Sequence, residues 1–309
     1  MSTLLVTHPA GLKHLTPEGH PERPDRLRVL DRILEQEKFS LLARDLAPMG
    51  EREDIIRVHP ADFVDAMGAA TPAEGIVRID SDTIMSPGSW NAALHAVGGA
   101  CFAVDEVMEG KTANAFVAMR PPGHHCEPRK PMGFCLLNQA AIAARHAQAK
   151  YGIERVAIVD FDVHHGNGTQ AIFWDDPTVL YCSTHEMPLF PGTGALSETG
   201  SANTIVNAPL KAGDDGIAFR EAMMTRILPR LEAFHPELII ISAGFDAHKD
   251  DPMANLLLVE ADFVWATQKL MDVADRLCNG RIVSLLEGGY DLNALANSAA
   301  AHVTTLMRG

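Results

Sequence analysis

The chain alternates short apolar runs with longer segments whose apolar positions repeat at helical spacing. Runs of β-branched and aliphatic residues occupy positions 3–8, 115–119, 156–160, 179–183, 238–243 and 281–287. Runs that are apolar at nearly every position are typical of strands buried on both faces. Apolar residues spaced for one face of a helix occupy positions 25–37, 90–109, 137–150, 216–233, 259–278 and 291–306. The alternation predicts an α/β fold with a parallel sheet and helices on both of its faces.

The pattern continues along the whole chain without a mark of a domain boundary. The sequence contains no internal repeat, no low-complexity segment and no linker rich in Pro, Gly and Ser. Its 309 residues, 47% hydrophobic and 21% charged, are enough to bury a substantial core. We therefore expect a single globular domain over residues 1–309.

Charge and cysteine usage limit the partners and the compartment. Lys and Arg total 26 against 40 Asp and Glu, so the formal charge of -14 disfavours a nucleic-acid-binding surface and suits a cationic substrate or simple solubility. The 5 cysteines are odd in number and show no CxxC spacing, which is typical of reduced thiols in a cytosol. The first residues do not resemble a signal peptide, and no apolar run approaches a membrane span. We expect a cytoplasmic protein without nucleic-acid or membrane partners.

Side chains that bind metals or transfer protons follow four of the predicted strands. In open α/β sheets, ligands bind beyond the carboxyl ends of the strands, where neighbouring ends share one edge. The strand at 115–119 leads to "RPPGHHCEP", and the strand at 156–160 continues into "FDVHHGNGT". The strands at 238–243 and 281–287 lead to "GFDAHKDDP" and "GGYD". The side chains brought to this edge are His124, His125, Asp160, Asp162, His164, His165, Asn167, Asp246, His248 and Tyr290.

The segment "DFDVHHGNG" predicts part of a metal site. Asp160, Asp162 and His164 alternate in an extended stretch and project to the same side, so the last two can bind one cation together. Asp246, at a separate strand end, is the natural third ligand beside this segment, although on its own it would better suit a helix N-cap. A set of Asp, His and Asp leaves coordination positions open for water and substrate, as in a catalytic zinc site.

Six motifs of the chain are similar, in this order, to those of one enzyme family. They are "RPPGHH", "GFC", "VDFDVHHGNGT", "LFPGTG", "AGFDAHKDDP" and "EGGYD", and the likeness runs from residues 20–26 to the C-terminal helix. The sequence resembles the zinc-dependent histone deacetylase superfamily, which includes acetylpolyamine amidohydrolases and acetoin-utilisation proteins. The Asn of "HHGNG" resembles the residue that the class II branch of this superfamily carries at this position. The resemblance implies the arginase-deacetylase fold, a single domain around a mostly parallel sheet, which agrees with the strand pattern.

The resemblance implies zinc as the metal and a division of roles around it. Its zinc ligands would be Asp162, His164 and Asp246, the three residues that their positions already favour. His125 would act as general base toward the water that zinc activates, and then as acid toward the leaving amine. His124 would act mainly through its charge.

The partners of the two histidines also follow from the resemblance. Asp160 would support His124, and Asn167 would support His125. Because an amide is uncharged, Asn167 would raise the pKa of His125 less than a carboxylate does. Tyr290 resembles the family's oxyanion tyrosine, and one such donor contributes about 3 kcal/mol to lowering a barrier.

Further residues match the family's tunnel and its ion sites. Phe134 of "MGFC" and Phe190 of "LFPGTG" match the aromatic rings that line a narrow substrate tunnel, with Gly133 beside the first ring. Arg23 of "HPERP" matches a residue beside the internal cavity that receives acetate. Ser183, together with nearby carbonyl oxygens, matches a potassium site under the zinc, so K⁺ is expected as a structural ion.

The implied substrate is an acylated amine, either an acetyl-lysine in a protein or peptide or an acetylpolyamine. In the polyamine-selective vertebrate enzyme a glutamate follows the "DP" after the last zinc ligand, whereas this chain has Met253, which favours acyl-lysine. The acidity of the chain keeps acetylpolyamines as the alternative. His248 and Lys249 lie on a predicted rim loop beside the substrate or in water, and a homo-oligomer is left open.

Three other function classes are less well supported. Arginase-like hydrolases share the fold but need an Asp-x-Asp for a second manganese ion, which "FDAHKDD" lacks. A catalytically weak acyl-lysine-binding protein is usually marked by the loss of a metal ligand or the tyrosine, and none is lost here. A Ser or Cys hydrolase is disfavoured because no G-x-S-x-G elbow is present, and Cys126 is expected to pack rather than react.

Overall fold

An eight-stranded sheet forms the centre of the fold in the computed structural model, which describes residues 2–308. The strands of the chain are β1 (Thr3–Thr7), β2 (Ala43–Leu46), β3 (Val77–Arg78), β4 (Ile84–Met85), β5 (Asn114–Val117), β6 (Val156–Asp160), β7 (Val179–Glu186), β8 (Ile205–Leu210), β9 (Leu238–Ala243) and β10 (Ile282–Leu286). The sheet has the order β2-β1-β5-β10-β9-β6-β7-β8, and every neighbouring pair is parallel. β3 and β4 form a separate antiparallel pair.

Helices cover both faces of this sheet, as the sequence pattern predicts. They are α1 (Asp25–Leu34), α2 (Arg52–Ile55), α3 (Ala61–Ala69), α4 (Ser89–Met108), α5 (Gln139–Tyr151), α6 (Asn167–Ile172), α7 (Gly216–Ala222), α8 (Leu228–Phe234), α9 (Glu260–Leu277) and α10 (Leu292–Leu306). Short 3₁₀ turns span Pro9–Lys13 and Glu37–Phe39. Within residues 2–308, no helix combines the length and the apolar character that crossing a membrane requires.

Two apolar cores, one on each face, explain why the strands are apolar at consecutive positions. Along β9, Ile239 and Ile241 belong to the core that includes side chains of α1, α9 and α10. Leu238 and Ile240 of the same strand belong to the core that includes side chains of α4 and α5. Alternate side chains of a strand face opposite sides of a sheet, so neither face of β9 meets water.

The sequence pattern does not predict the edge strands or one interruption of a helix. β2 has the sequence ARDL and is mostly exposed, and β8 contains Pro209, so neither shows a continuous apolar run. The predicted helix at 216–233 consists of α7, a π turn over Met223–Ile227, and α8. Pro229 has no backbone N–H and so makes no hydrogen bond to the preceding turn, which accounts for the interruption.

The four strands that carry the candidate site residues are neighbours at the centre of the sheet. β5, β10, β9 and β6 follow one another in the strand order. Because all four are parallel, their carboxyl ends lie at one edge, and the loops that follow them meet there. The topology therefore brings together candidate side chains that are far apart in the sequence.

The N-terminus of α10, next to Tyr290, provides a test of how helix capping stabilises the fold at this edge of the sheet. The Asp291 side chain caps the helix by accepting hydrogen bonds from the backbone N–H groups of Asn293 (3.0 Å) and Ala294 (2.8 Å). We expect Asp291→Ala to lower the free energy of unfolding by about 1 kcal/mol, because both donors lose their acceptor. Asp291→Asn keeps an acceptor oxygen and is the matched control. Urea unfolding measures both, and equal losses in the two variants would contradict the capping role.

Candidate active site

The two adjacent histidines bind different partners. Nδ1 of His124 lies 2.9 Å from Oδ2 of Asp160, and Nδ1 of His125 lies 2.8 Å from Oδ1 of Asn167. The centroids of the two imidazole rings are 4.0 Å apart. The loop after β5 thus lets two consecutive side chains face the same site. In a regular strand or helix, consecutive side chains point in different directions. The structure brings together both of the predicted pairs.

These partners give the two imidazoles different charges. Although burial opposes a charge on His124, the neighbouring carboxylates, foremost that of Asp160, raise the pKa of His124 well above its usual value. Burial lowers the pKa of His125 well below its usual value, and the positive charge of His124 adds to the effect. Near neutral pH, His124 is therefore a cation, whereas His125 is neutral and accepts protons.

Asp162, His164 and Asp246 bring three donor atoms to one buried point. Nδ1 of His164 lies 3.2 Å from Oδ1 of Asp162 and 3.1 Å from Oδ2 of Asp246. Although burial opposes it, the two carboxylates raise the pKa of His164 to about 10, so this point strongly favours a positive charge. Two carboxylates and one imidazole are zinc ligands that leave coordination open for a water or substrate. The donor set fits a zinc ion.

Close approach of the backbone holds the two carboxylates in place. The N–H of Gly288 donates to Oδ2 of Asp162 (2.8 Å), and the N–H of Val163 donates to Oδ1 of Asp246 (3.0 Å). A Cβ atom at position 288 would lie 2.2 Å from Oδ2 of Asp246, far inside a normal contact. Glycine is therefore required for the loop after β10 to reach the donor cluster.

Tyr290 lies on the same loop, and a buried carboxylate fixes its backbone. Oδ2 of Asp251 accepts hydrogen bonds from the backbone N–H groups of Tyr290 (2.7 Å) and Asp291 (3.2 Å). Burial raises the pKa of the Tyr290 phenol well above its usual value, and the charge of Asp246 adds to the effect. The phenol stays protonated at neutral pH and lines the cavity above the donor cluster, where it is available as a hydrogen-bond donor.

Aromatic rings form two walls of this cavity, which has a volume of about 210 Å³. The Phe190 ring lies 5.0 Å from the ring of His125, and the Phe134 ring lies 5.9 Å from that of Tyr290, measured between centroids. The lining residues are Asp82, His125, Gly133, Phe134, His164, Phe190, Met253 and Tyr290. All three residues predicted to bind substrate line the cavity, while Asp82 was not anticipated.

The backbone under one of these rings is strained. Gly133 and Phe134 have φ angles of 57° and 69°, in the left-handed region. A Cβ atom at position 133 would lie 2.4 Å from Cδ2 of His125, so only glycine allows the ring of that histidine its position. For Phe134, a left-handed backbone costs about 1–3 kcal/mol, and such strain concentrates at functional sites.

Two buried residues that the sequence analysis missed support the histidine loop. Oε2 of Glu287 accepts a hydrogen bond from the backbone N–H of Gly123 (2.7 Å). The Tyr181 hydroxyl donates to Oδ2 of Asp160 (3.0 Å). The signal for Glu287 was a carboxylate at the end of the apolar run "RIVSLLE", because a buried charge needs partners. Tyr181, within the apolar "VLYCS", carried no comparable signal.

The prediction for Arg23 is corrected, because the buried arginines of this region are Arg26 and Arg120. The Arg23 side chain is 43% exposed and pairs with Asp25 at 3.7 Å. Arg26 and Arg120 both donate to Glu22, and these three side chains are fully buried. α1 begins at Asp25, so the phase of the helix turns Arg26 inward and leaves Arg23 before its first turn.

The remaining candidates lie near the cavity without lining it. Ser183 is the register partner of Asp160 across β6 and β7, so it lies beside that carboxylate. The potassium site itself stays a prediction. His165 and His248 are buried outside the cavity lining. Cys126 is fully buried, and its thiol lies 3.2 Å from a backbone carbonyl oxygen, as expected of a packing residue.

Comparisons with known proteins place this geometry in one family. The family model described as "Histone deacetylase domain" matches residues 20–306. The histone deacetylase-like amidohydrolase of Pseudomonas aeruginosa is 39% identical over 277 residues, which cover 88% of this chain and 73% of that protein. The probable deacetylase of Archaeoglobus fulgidus is 39% identical over 301 residues, which cover 94% and 82%. The crystal structure of the HDA15 HD domain matches with a TM-score of 0.94 at 37% identity, covering 99% of this chain and 88% of that one.

The chain belongs to the histone deacetylase family. Its fold is the arginase-deacetylase fold, so the predicted family and fold class are confirmed. Relatives of this similarity are named amidohydrolase and deacetylase, and the chain is accordingly a hydrolase of this family.

The buried Glu22 provides a test of how much its ion pairs with Arg26 and Arg120 contribute to stability. Its carboxylate accepts from Arg120 (Nη2, 2.6 Å) and from Arg26 (Nη1, 3.1 Å). We expect Glu22→Gln to lower the free energy of unfolding by about 3–5 kcal/mol, because two buried guanidinium groups lose their counter-charge. Asp25→Asn removes an exposed carboxylate nearby and should cost about 0–1 kcal/mol. Urea unfolding compares the two variants, and similar small losses would show that the buried pairs contribute little.

Proposed function

We propose that this family member is a zinc-dependent amide hydrolase that removes acetyl or another short acyl group from acylated amines, with acyl-lysine side chains as the preferred substrate. The observation that carries the proposal is the pair of adjacent histidines, one bonded to the Asp160 carboxylate and the other to the Asn167 amide, beside a three-donor cluster. A cationic and a neutral imidazole side by side supply charge stabilisation and a base at the same place.

Asp162, His164 and Asp246 would hold the zinc ion. When bound there, zinc would lower the pKa of water and polarise an acyl carbonyl as a Lewis acid. The two carboxylates would balance the charge of a divalent cation. Their backbone hydrogen bonds from Gly288 and Val163 keep both of them oriented without the ion.

His125 is oriented to accept a proton at Nε2. The Asn167 Nδ2 group donates to Oε1 of Glu127 (2.9 Å), which fixes the amide with its oxygen toward His125. Nδ1 of His125 then carries the hydrogen that it donates to this oxygen, and Nε2 keeps its lone pair. Because the pKa of His125 is low, the lone pair is free near neutral pH. His125 would take a proton from water and later give it to the leaving amine.

His124 and Tyr290 would stabilise the negative charge that develops during the reaction. The pKa of His124 is raised, so its imidazolium offers a fixed positive charge held by the Asp160 carboxylate. Tyr290 would donate a hydrogen bond from its protonated phenol to the acyl oxygen. Preorganised donors of this kind act strongly in a site from which water is excluded.

The cavity supports an acyl-lysine substrate. A volume of about 210 Å³ between the rings of Phe134 and Phe190 suits an unbranched aliphatic stem. Met253 lines it at the position where a carboxylate would favour a polyamine. Asp82, the acidic residue of the lining, and the net charge of -14 support acetylpolyamines as the second candidate.

Turnover of three substrates by the zinc-loaded protein tests the proposal. We expect an acetyl-lysine peptide to be cleaved faster than N-acetylputrescine and N-acetylspermidine, and no cleavage by the metal-free protein. Faster cleavage of the two polyamines would select the second candidate and keep the mechanism. No turnover of any of the three substrates with zinc bound would contradict the removal of acetyl groups and leave only other short acyl groups to the proposed hydrolase.

Two variants separate metal binding from stabilisation of the developing charge. Asp246→Ala should lose one equivalent of zinc together with activity, because the cluster keeps only two donors. Tyr290→Phe should keep the zinc while kcat falls about 10²–10³-fold, because one donor to the developing charge is gone. Metal analysis and acetate release measure these effects. Parent-like turnover by Tyr290→Phe would exclude the oxyanion role.

A further inference from the structure

A second cluster of metal-binding side chains lies where α2, α4 and α5 pack together. Each helix supplies one member, namely Asp54 from α2, Cys101 from α4 and His146 from α5. One donor atom of each side chain lies within 4.8 Å of the other two. Cys101 and His146 are buried, with exposures of 7% and 8%. None of the three residues lines the active-site cavity.

The hydrogen bond of His146 to Asp105 decides which of its nitrogens is available to a ligand. Nε2 lies 2.8 Å from Oδ1 of Asp105, and Nδ1 lies 3.0 Å from Oδ1 of Asp54. Asp105 also accepts from the Tyr151 hydroxyl (2.8 Å) and pairs with the Lys150 ammonium (2.7 Å), so it is an ionised acceptor. Nε2 therefore carries a hydrogen and donates it to Asp105, which leaves Nδ1, beside Asp54, as the nitrogen available to a ligand.

In this arrangement, Nδ1 of His146 and Oδ1 of Asp54 are both acceptors. A lone pair and a carboxylate oxygen 3.0 Å apart repel unless a positive charge lies between them. A divalent cation bound by both atoms supplies that charge. The sulfur of Cys101 lies within 4.8 Å of a donor atom of each of the other two residues, and a thiolate is a ligand of divalent cations.

We propose that Asp54, Cys101 and His146 form a second divalent metal site, suited to zinc and separate from the active site. Thiolate, imidazole and carboxylate are the three ligand types that zinc takes in proteins. Three protein ligands leave a fourth position for water, and the 14% exposure of the Asp54 side chain gives solvent access. Asp105 behind the imidazole supplies the carboxylate that orients a metal-binding histidine at such sites.

Metal binding at this cluster exchanges a cation for a proton. Burial raises the pKa of the Cys101 thiol well above its usual value, with Asp54 and Asp105 adding to the effect, so the thiol is protonated in the free protein. Coordination forms the sulfur–metal bond, breaks the S–H bond and releases that proton to solvent. Arg57, 3.4 Å from Oδ1 of Asp54, and Lys150 neutralise the carboxylates when no metal is bound.

The metal would connect three helices on one face of the sheet. α2 spans only Arg52–Ile55, which is about one helical turn and too short to be stable by itself. A ligand that binds the folded chain and not the unfolded chain stabilises the fold by mass action. A metal at this site would therefore stabilise the packing of α2 against α4 and α5.

Cobalt titration distinguishes this site from the active site, whose donor set contains no cysteine. A thiolate bound to Co²⁺ gives an intense near-ultraviolet charge-transfer band, which carboxylate and imidazole ligands do not give. In metal-free Asp246→Ala protein, we expect one equivalent of Co²⁺ to bind with this band and Zn²⁺ to abolish it by displacement. The result does not depend on the proposed hydrolase activity.

Four further variants complete the test. Cys101→Ala should lose the band and one equivalent of metal, whereas Cys182→Ala, which removes another buried thiol, should keep both. Asp105→Asn leaves the three ligands intact and should weaken Co²⁺ binding about 10–100-fold. Cys101→Ser replaces Cys101→Ala if circular dichroism shows that the alanine variant is unfolded.

Two results would overturn the second site. One is the absence of the band in Asp246→Ala protein at saturating Co²⁺. The other is a band that persists when Cys101 is replaced. Either result would leave Asp54, Cys101 and His146 as a packing cluster that holds no metal.

Discussion

The burial of two carboxylates, Asp162 and Asp246, beside one imidazole nitrogen is the constraint on which the site depends. Uncompensated buried charges cost several kcal/mol each. Backbone N–H groups of Val163, His164 and Gly288 compensate part of this cost, and a divalent cation would compensate the rest. The two carboxylates and these N–H groups come from the loops after β6, β9 and β10, three adjacent parallel strands. The donor cluster therefore exists because these strands end at the same edge of the sheet.

One difference in partner chemistry separates the roles of the two adjacent histidines. His124 faces the carboxylate of Asp160 and is held as a cation, whereas His125 faces the neutral amide of Asn167 and remains a base. The hydrogen bond from Asn167 to Glu127 keeps that amide oriented.

The features that could be predicted from the sequence are those expressed in short local patterns. Continuous apolar runs predicted six strands of the sheet, and the alternation of Asp162 and His164 predicted a shared cation site. Features that depend on packing were not visible. Arg23 and Arg26 belong to one motif, and only the start of α1 decides which of them is buried. Glu287 carried the signal of a carboxylate at the end of an apolar run, but its backbone partner follows from no sequence spacing. The cluster around Cys101 joins three helices and follows no metal-binding spacing.

Anomalous diffraction at the zinc edge from crystals of the zinc-loaded protein tests the central claim most directly. The account predicts a peak about 2.0–2.2 Å from the donor atoms of Asp162, His164 and Asp246. An active, zinc-loaded protein with no peak at these three residues would contradict the assignment of the metal site and the mechanism built on it.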